Sequence, residues 1–142
     1  ERGLQARRAD VLAHLGTLPE GALGAISAFH VIEHLPLEVL RAFLEEARRT
    51  LVPGGILMLE SPNPESIKVG ATTFHYDPTH LRPIPPQLAD FFAEQAGFAE
   101  VEVLRLNPYP ASSLVTEQSE TASKLNELMF GPQDYAVIAR KP

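Results

Sequence analysis

The sequence has 142 residues, 44% of them hydrophobic and 21% charged, which is the composition of one globular domain and excludes a disordered or fibrous chain. Its formal net charge of −6 disfavours binding to nucleic acid or anionic lipid, and the absence of cysteine excludes disulfides and thiolate metal sites. No apolar stretch reaches the roughly 20 residues of a membrane-spanning helix, so a cytoplasmic protein is expected.

The first residues predict a short strand followed by one turn of helix. Residues 5–9 and Asp10 have the pattern of a strand that ends in an acid, and residues 11–15 fit a helical turn. The first residue is glutamate rather than methionine, and it begins what has the pattern of a helix end running into a strand. We therefore expect the sequence to be a fragment of a longer chain.

A strand, a helix and a second strand are predicted between residues 22 and 61. Residues 22–32 form a nearly continuous apolar run, which is typical of a strand covered on both faces in a parallel sheet. From Pro36 the apolar residues follow the period of a helix. Its stripe consists of Leu37, Leu40, Leu44, Ala47 and Leu51. Residues 53–55, Pro-Gly-Gly, end this helix, and the strand at 56–61 completes a βαβ unit with parallel strands.

The carboxyl ends of these two strands are rich in polar residues. They have the sequences "FHVIEH" at 29–34 and "ESPNPES" at 60–66. In open α/β sheets, ligands bind beyond the carboxyl ends of the strands. The sequence therefore predicts that both segments border a common ligand site.

The rest of the chain predicts a long loop, two helices and two strands. The loop at 62–86 is rich in proline and longer than typical connections, which favours a binding or lid role. The next helix ends at Gly97. Its inner side is predicted to consist of Leu88, Phe91, Phe92 and Gln95. A strand at 99–103, a short helix near 121–129 and a strand at 135–140 follow, and the two strands are expected to pair antiparallel.

A larger pattern covers nearly the whole chain. The segments "AFHVIEHLP" and "LRAFLEEARRTLVPGGILMLESPNP" resemble the fourth strand, following helix, turn and fifth strand of class I S-adenosylmethionine-dependent methyltransferases. The segments "DPTHLRPIPPQLADFFAEQAGF" and "GPQDYAVIARKP" resemble the C-terminal part of members that methylate hydroxyls of glycans or other natural products. The order and spacing of these segments make the resemblance specific.

The resemblance implies the fold. The family has a sheet with strand order 3-2-1-4-5-7-6, in which strand 7 is antiparallel. We expect an α/β, Rossmann-like methyltransferase sheet, truncated to strands 3 to 7, in a single partial domain at 1–142. The sequence contains no G-x-G-x-x-G turn, so we expect this polypeptide alone to bind S-adenosylmethionine poorly. With strands 1 and 2 missing, the strand edge at 22–31 is expected to pair with a second copy in a homodimer.

The resemblance also implies cofactor contacts. Asp10 matches the acid that accepts the adenine amino group in the family, and Phe29 matches a position that lines the methionine part of the cofactor. His30 follows directly and is expected to border the same group. For Asp10, the alternative is that its side chain caps a helix N-terminus.

Three histidines and one glutamate are candidates for metal binding or proton transfer. His30, Glu33 and His34 resemble the Glu-x-x-Glu-His metal signature of some O-methyltransferases, with His80 or His75 completing the set. A divalent ion such as Mg²⁺ bound there would lower the pKa of an acceptor hydroxyl. Alternatively, Glu33 and His34 hydrogen-bond the backbone at the helix entrance, and one of the histidines serves as general base.

The sequence thus predicts part of an S-adenosylmethionine-dependent methyltransferase. Its parent enzyme is expected to methylate a hydroxyl of a sugar or small metabolite. The alternative is a non-catalytic α/β interaction module that keeps the sheet and no longer binds the cofactor.

Overall fold

The structure is a computed structural model that describes residues 6–142. Its helices are α1 (Val11–Gly16), α2 (Leu37–Thr50), α3 (Ile67–Ala71), α4 (Pro86–Gln95) and α5 (Glu120–Phe130). Its strands are β1 (Leu23–Phe29), β2 (Leu51–Pro62), β3 (Ala99–Leu106) and β4 (Asp134–Arg140). No helix among the described residues is both long and apolar enough to cross a membrane.

The strands form one mixed sheet in the order β1-β2-β4-β3. β1 and β2 are parallel and are joined through α2, which confirms the predicted βαβ unit. β4 is antiparallel to both β2 and β3, so the predicted antiparallel pairing of the last two strands is also confirmed. The fold is therefore of the predicted α/β class, with four of the five expected strands formed in the described part of the chain.

The strand predicted at 5–9 does not form where the structure describes it. Residue 5 lies outside the described residues, and residues 6–9 have no strand pairing. A strand needs a neighbour to satisfy its backbone N–H and C=O groups. Within residues 6–142 no strand of the sheet pairs with this segment, and its local pattern alone does not hold it extended.

The hydrophobic core lies on one face of the sheet. Leu57, Leu59 and Val137 point to this face and are almost completely buried. Helices α1, α2 and α4 cover it with residues that include Leu15 and Leu44. Met58 and Glu60 on β2 and Ile138 on β4, which alternate with the core residues, are only partly covered, as the two-residue period of a strand predicts.

β1 differs from the prediction of a strand covered on both faces. It lies at the edge of the sheet, and among its residues only Ala28 is buried. The side chain of Phe29 is 56% exposed. An apolar run shows that a strand can be buried on both faces. Whether it is buried depends on which other elements pack against each face.

The side of α4 that faces the core agrees only in part with the predicted side. Leu88 and Phe92 are packed against the core, and Ala89 and Ala93 are buried there, whereas Phe91 is 50% exposed. Gly97 follows the helix with a φ of 88°, a left-handed conformation that favours glycine, so its predicted role as helix stop is confirmed.

Candidate functional site

The carboxyl ends of β1 and β2 lie side by side. The backbone N–H of His30 donates to the carbonyl of Glu60 at 2.9 Å, just beyond the last paired residues of β1. β4 runs antiparallel to β2, so its first residue, Asp134, pairs with Pro62 at the same edge. The predicted convergence of the two strand ends is confirmed. β4 adds Asp134, a further acidic residue, to the same edge.

His30 adopts an unusual backbone conformation at the end of β1. Its φ is 52°, in the left-handed region that residues other than glycine seldom occupy. The chain turns here from the strand into a 3-10 turn at Ile32–His34, which leads into α2. Strain of this kind persists where the surroundings hold it, and it is concentrated at functional sites.

Glu33 is the buried centre of the site. Its residue exposure is 0%, and its Oε2 accepts a hydrogen bond from Ser61 Oγ at 3.1 Å. Its Oε1 has no hydrogen-bond donor. The nearest ring nitrogens are His30 Nδ1 at 3.3 Å and His80 Nε2 at 3.9 Å. A buried acceptor without a donor is costly, so this oxygen marks a place where a proton or cation is expected.

Backbone carbonyls fix the orientation of His34 and His80. His80 Nδ1 lies 2.6 Å from the carbonyl of Phe74, and His34 Nδ1 lies 3.2 Å from that of Thr79. A carbonyl only accepts, so each Nδ1 carries the hydrogen and leaves Nε2 of a neutral ring with its lone pair. This arrangement is typical of histidines that bind a metal or accept a proton.

The loop at 62–86 brings His80 to the site. The N–H of Leu81 donates to the carbonyl of Glu33 at 2.9 Å, and the rings of His34 and His80 lie 4.7 Å apart. His75, the other histidine considered from the sequence, is exposed. The structure therefore selects His80 over His75 as the neighbour of Glu33.

The predicted metal set divides into two groups. Ligand atoms of Glu33, His34 and His80 all lie within 4.8 Å of one another. His30 forms a separate group with Glu60 and Asp134, within the same distance limit. The contact between His30 and Glu33 joins the two groups.

The group around His30 is acidic. His30 Nε2 lies 3.5 Å from Glu60 Oε1 and 4.0 Å from Asp134 Oδ1. The other oxygen of Asp134 accepts a hydrogen bond from Asn107 Nδ2 at 2.7 Å. A cavity of about 150 Å³ lies beside this group, with both His80 and Asp134 in its wall.

Two tyrosines border the acidic residues. Tyr135 is fully buried next to Ser61, and its hydroxyl has no partner in the described structure. Burial, and secondarily Glu33, raises the pKa of the Tyr135 hydroxyl. Burial and then Asp134 raise the pKa of Tyr109, whose hydroxyl also lacks a partner. Both shifts arise first from burial of the hydroxyl and only secondarily from the nearby carboxyl groups.

The predicted cofactor residues lie in different surroundings. Asp10 caps α1, because its Oδ1 accepts from the N–H of Ala13 at 2.9 Å, which is the alternative role foreseen for it. Phe29 presents an exposed ring at the carboxyl end of β1, next to His30.

Sequence reasoning did not single out Glu60 and Asp134. Glu60 stands in the segment predicted to border a ligand, so the end of β2 contained a signal for it. Asp134 precedes the last predicted strand. It reaches the site because β4 is antiparallel and lies next to β2, and this strand order cannot be read from local residue patterns.

A larger cavity of about 470 Å³ lies between α5 and the loop that follows β2. In its wall, Arg105 donates two hydrogen bonds to Glu65, at 2.8 and 3.0 Å. This pairing holds the pKa of Glu65 below its ordinary value. Arg105 and Glu65 thus satisfy each other, unlike the carboxyl groups around His30.

Comparisons with known proteins agree with the fold. A family profile described as a methyltransferase domain matches residues 1–59. A crystal structure of an S-adenosylmethionine-dependent methyltransferase from Archaeoglobus fulgidus superimposes with a TM-score of 0.93 and 29% identity. The match covers 99% of this chain and 69% of that one. No curated protein matches the chain.

More distant structures share the fold. A possible histamine N-methyltransferase from Thermotoga maritima has a TM-score of 0.61 and 16% identity, over 89% of this chain and 59% of that one. A Haemonchus contortus phosphoethanolamine N-methyltransferase in complex with S-adenosyl-L-methionine has a TM-score of 0.59 and 16% identity, over 88% of this chain and 34% of that one. The chain therefore spans only part of the length of these proteins.

Proposed function

Because the chain belongs to the class I S-adenosylmethionine-dependent methyltransferases, we propose that it supplies the acceptor side of a methyl-transfer site. The acceptor binds over the carboxyl ends of β1 and β2 and presents a hydroxyl of a sugar or related small metabolite. The observation that carries the proposal is Glu33 Oε1, a buried acceptor without a donor, which faces ring nitrogens of His30 and His80.

The residues at the end of β1 fit a cofactor contact. The exposed ring of Phe29 is available for apolar contact, and His30 lies directly beyond it. Asp10 uses one carboxyl oxygen as the cap of α1, and we propose that the other contacts the adenine amino group. S-adenosylmethionine, when bound, supplies an electrophilic methyl group on a positively charged sulfur.

The protein's part in the reaction is to orient the acceptor and remove its proton. His80 is the base that the geometry favours among His30, His34 and His80. Its Nδ1 donates to the carbonyl of Phe74, which leaves Nε2 as proton acceptor, and its ring lines the cavity of about 150 Å³. The acceptor O–H proton would pass to Nε2, which makes the acceptor oxygen a stronger nucleophile. Glu33, beside Nε2, stabilises the protonated ring.

A divalent cation is a second candidate activator of the hydroxyl. Glu33, His34 and His80 would hold it, and the Nδ1 hydrogen bonds of both histidines are the outer contacts that such ligands require. Two imidazoles and one carboxyl suit Mn²⁺, Fe²⁺ or Zn²⁺ better than Mg²⁺, which prefers oxygen ligands. Such an ion would polarise the acceptor oxygen.

An NMR titration with S-adenosylhomocysteine tests the cofactor contact. We expect saturable shifts of the amide signals of residues 29–34, and no shifts in α5. Phe29→Ala is expected to weaken binding by about three- to tenfold, because it removes an aromatic contact. Phe91→Ala, which removes a similarly exposed ring from α4, is the matched control and should bind as the unmodified protein does.

Two results of this titration would count against the proposal. One is the absence of shifts at 29–34, which the alternative of a non-catalytic interaction module predicts. The other is equal affinity of the protein and its Phe29→Ala variant.

We further propose that the outer edge of β1 pairs with a second copy of the chain. The N–H of His30 points inward to Glu60, so by alternation Ser27 and Phe29 present their backbone groups outward. These groups have no strand partner among the described residues. An unpaired edge of this kind favours strand addition.

Sedimentation at increasing concentration tests the pairing. We expect a dimer in which the outward amides of Ser27 and Phe29 are protected from hydrogen exchange. Ser27→Pro removes one outward N–H and leaves the pairing with β2 intact, so it is expected to be monomeric. Ser27→Thr keeps the N–H and should dimerise. A monomeric parent protein in which these two outward amides exchange freely would rule the pairing out.

A further inference from the structure

We propose that the methyl acceptor carries a cationic amine group, which binds between Glu60 and Asp134 beside the atom to be methylated. The inference rests on the proposed function, because it assigns a charge to the acceptor of that site. It narrows the acceptor from sugars and small metabolites in general to amine-bearing ones, such as amino sugars or amino alcohols.

The charges around His30 do not balance. Carboxyl groups of Glu33, Glu60 and Asp134 lie within 4.0 Å of its two ring nitrogens. Within the part of the chain that the structure describes, no lysine or arginine lies within 4.0 Å of any of the three. With three carboxyl groups around one imidazole, the acidic groups are in excess. A site of this kind attracts a small cation.

The buried carboxyl group of this cluster, that of Glu33, has one oxygen without a hydrogen-bond donor. Glu33 is completely buried, and its Oε1, which lacks a donor, lies 3.3 Å from His30 Nδ1. Ser61 holds the other oxygen. Glu33 thus holds the imidazole from the inner side and turns its Nε2 toward Glu60 and Asp134. Surface acids that merely face solvent have no such buried support.

The aromatic residues nearby suit an ammonium group rather than a neutral one. The Tyr109 hydroxyl is shielded from solvent, has no partner, and lies close enough to Asp134 for that carboxyl to raise its pKa. The same ring already accepts one ammonium, because Lys68 Nζ lies 4.9 Å from its centroid. Lys68 Nζ also lies 5.5 Å from the centroid of Phe130. Aromatic faces and carboxyls together are a typical surrounding for alkylammonium ions.

The cavity next to the cluster limits the size of the acceptor and orients it. Its volume is about 150 Å³, and Asp134 and His80 both form part of its wall. Because Asp134 and His80 border the same small cavity, we expect an amine held at Asp134 to leave a neighbouring hydroxyl in the space beside His80. The charge and the reacting hydroxyl are recognised by different residues of one site.

The cation has two possible sources, the ammonium of an acceptor and the sulfonium of the methyl donor. Both are small organic cations that carboxyl groups attract. We assign the site to the acceptor because Asp134 lies beside the cavity and His80. The experiment separates the two by titrating acceptor probes in the absence of the donor.

Glucosamine and N-acetylglucosamine are matched probes, since they differ at the amine and only the first is a cation near pH 6.5. In NMR titrations of the full chain we expect glucosamine to bind about tenfold more tightly, with shifts near Glu60 and Asp134. The variant Glu60→Gln/Asp134→Asn should lose this preference. The control Glu102→Gln/Glu117→Gln, which changes the net charge equally at exposed sites, should keep it.

Equal binding of the two sugars by the unmodified protein, or no binding of either, would overturn the inference without need of any variant. It would also be overturned if the Glu60→Gln/Asp134→Asn variant instead lost a preference for S-adenosylmethionine over S-adenosylhomocysteine, because the two carboxyl groups would then bind the methyl donor. Failure of the proposed function appears separately, as a lack of S-adenosylhomocysteine shifts at residues 29–34.

Discussion

Leu59→Ala is expected to lower the free energy of unfolding by about 3 kcal/mol and the melting temperature by about 10 °C. Leu59 is 1% exposed and lies in the core between β2 and the helices. Removing three carbons there leaves a cavity that closely packed neighbours cannot fill. A domain of this size has only about 5–15 kcal/mol of total stability, so the loss is a large fraction of it.

Met58→Ala is the matched control on the same strand. Met58 points to the opposite face of the sheet and is only partly covered. Its truncation is therefore expected to cost about 1 kcal/mol or less. Thermal and denaturant unfolding of both variants measure the difference. Equal losses would contradict a core on one face, because they would mean that the second face is also tightly packed in solution.

Glu33→Gln is expected to stabilise the protein and to weaken its function. In the present side chain, Oε1 faces ring nitrogens of His30 and His80 without a donor. The amide of glutamine replaces the unsatisfied acceptor with N–H donors that face ring nitrogens, and it keeps an oxygen that accepts from Ser61. The free energy of unfolding should rise by about 1–2 kcal/mol, and the melting temperature by about 3–8 °C.

The variant Ser61→Ala tests the same reasoning in the opposite direction. It removes the hydroxyl that donates to Glu33 Oε2, so both oxygens of a buried carboxyl lack partners. Its free energy of unfolding should fall by about 1–3 kcal/mol. A Glu33→Gln variant that melts below the parent protein would show that Oε1 has a partner in solution.

Metal titration separates the two candidate activators of the acceptor. If Mn²⁺ binds to Glu33, His34 and His80, NMR signals of His34 and His80 should broaden at low ion concentration. Glu33→Gln should then weaken binding about 10- to 100-fold, as loss of a ligand or its support does elsewhere. Glu38→Gln, on the exposed surface of α2, is the control. Broadening that Glu33→Gln leaves unchanged would place the ion elsewhere and favour His80 as base.

The gain in stability expected for Glu33→Gln expresses a general conflict between folding and function. A buried carboxyl group with too few hydrogen-bond donors lowers the stability of the fold. Such a group is typically retained where it takes part in binding or catalysis. The left-handed backbone of His30 is a second cost at the same place. Both costs lie at the edge of the sheet where the ligand is proposed to bind.

Local sequence patterns determined the elements of this protein. The apolar period defined α2, the apolar run at 56–61 defined most of β2, and Gly97 defined the end of α4. The Pro-Gly-Gly segment at 53–55 was predicted to end the helix, but it lies inside β2, which begins at Leu51. From the βαβ unit it also followed that the ends of β1 and β2 meet. These features depend on residues a few positions apart, so the sequence suffices to predict them.

Only the tertiary structure decided which side chains meet at the site. Asp134 reaches His30 because β4 lies antiparallel to β2, and His80 rather than His75 reaches Glu33 because the loop at 62–86 folds back onto it. The strand predicted at 5–9 failed, and β1 proved to be an exposed edge, for the same physical reason. Strand pairing and burial depend on residues that are distant in the sequence. A local residue pattern shows only that a segment can pair or be buried, not that it does.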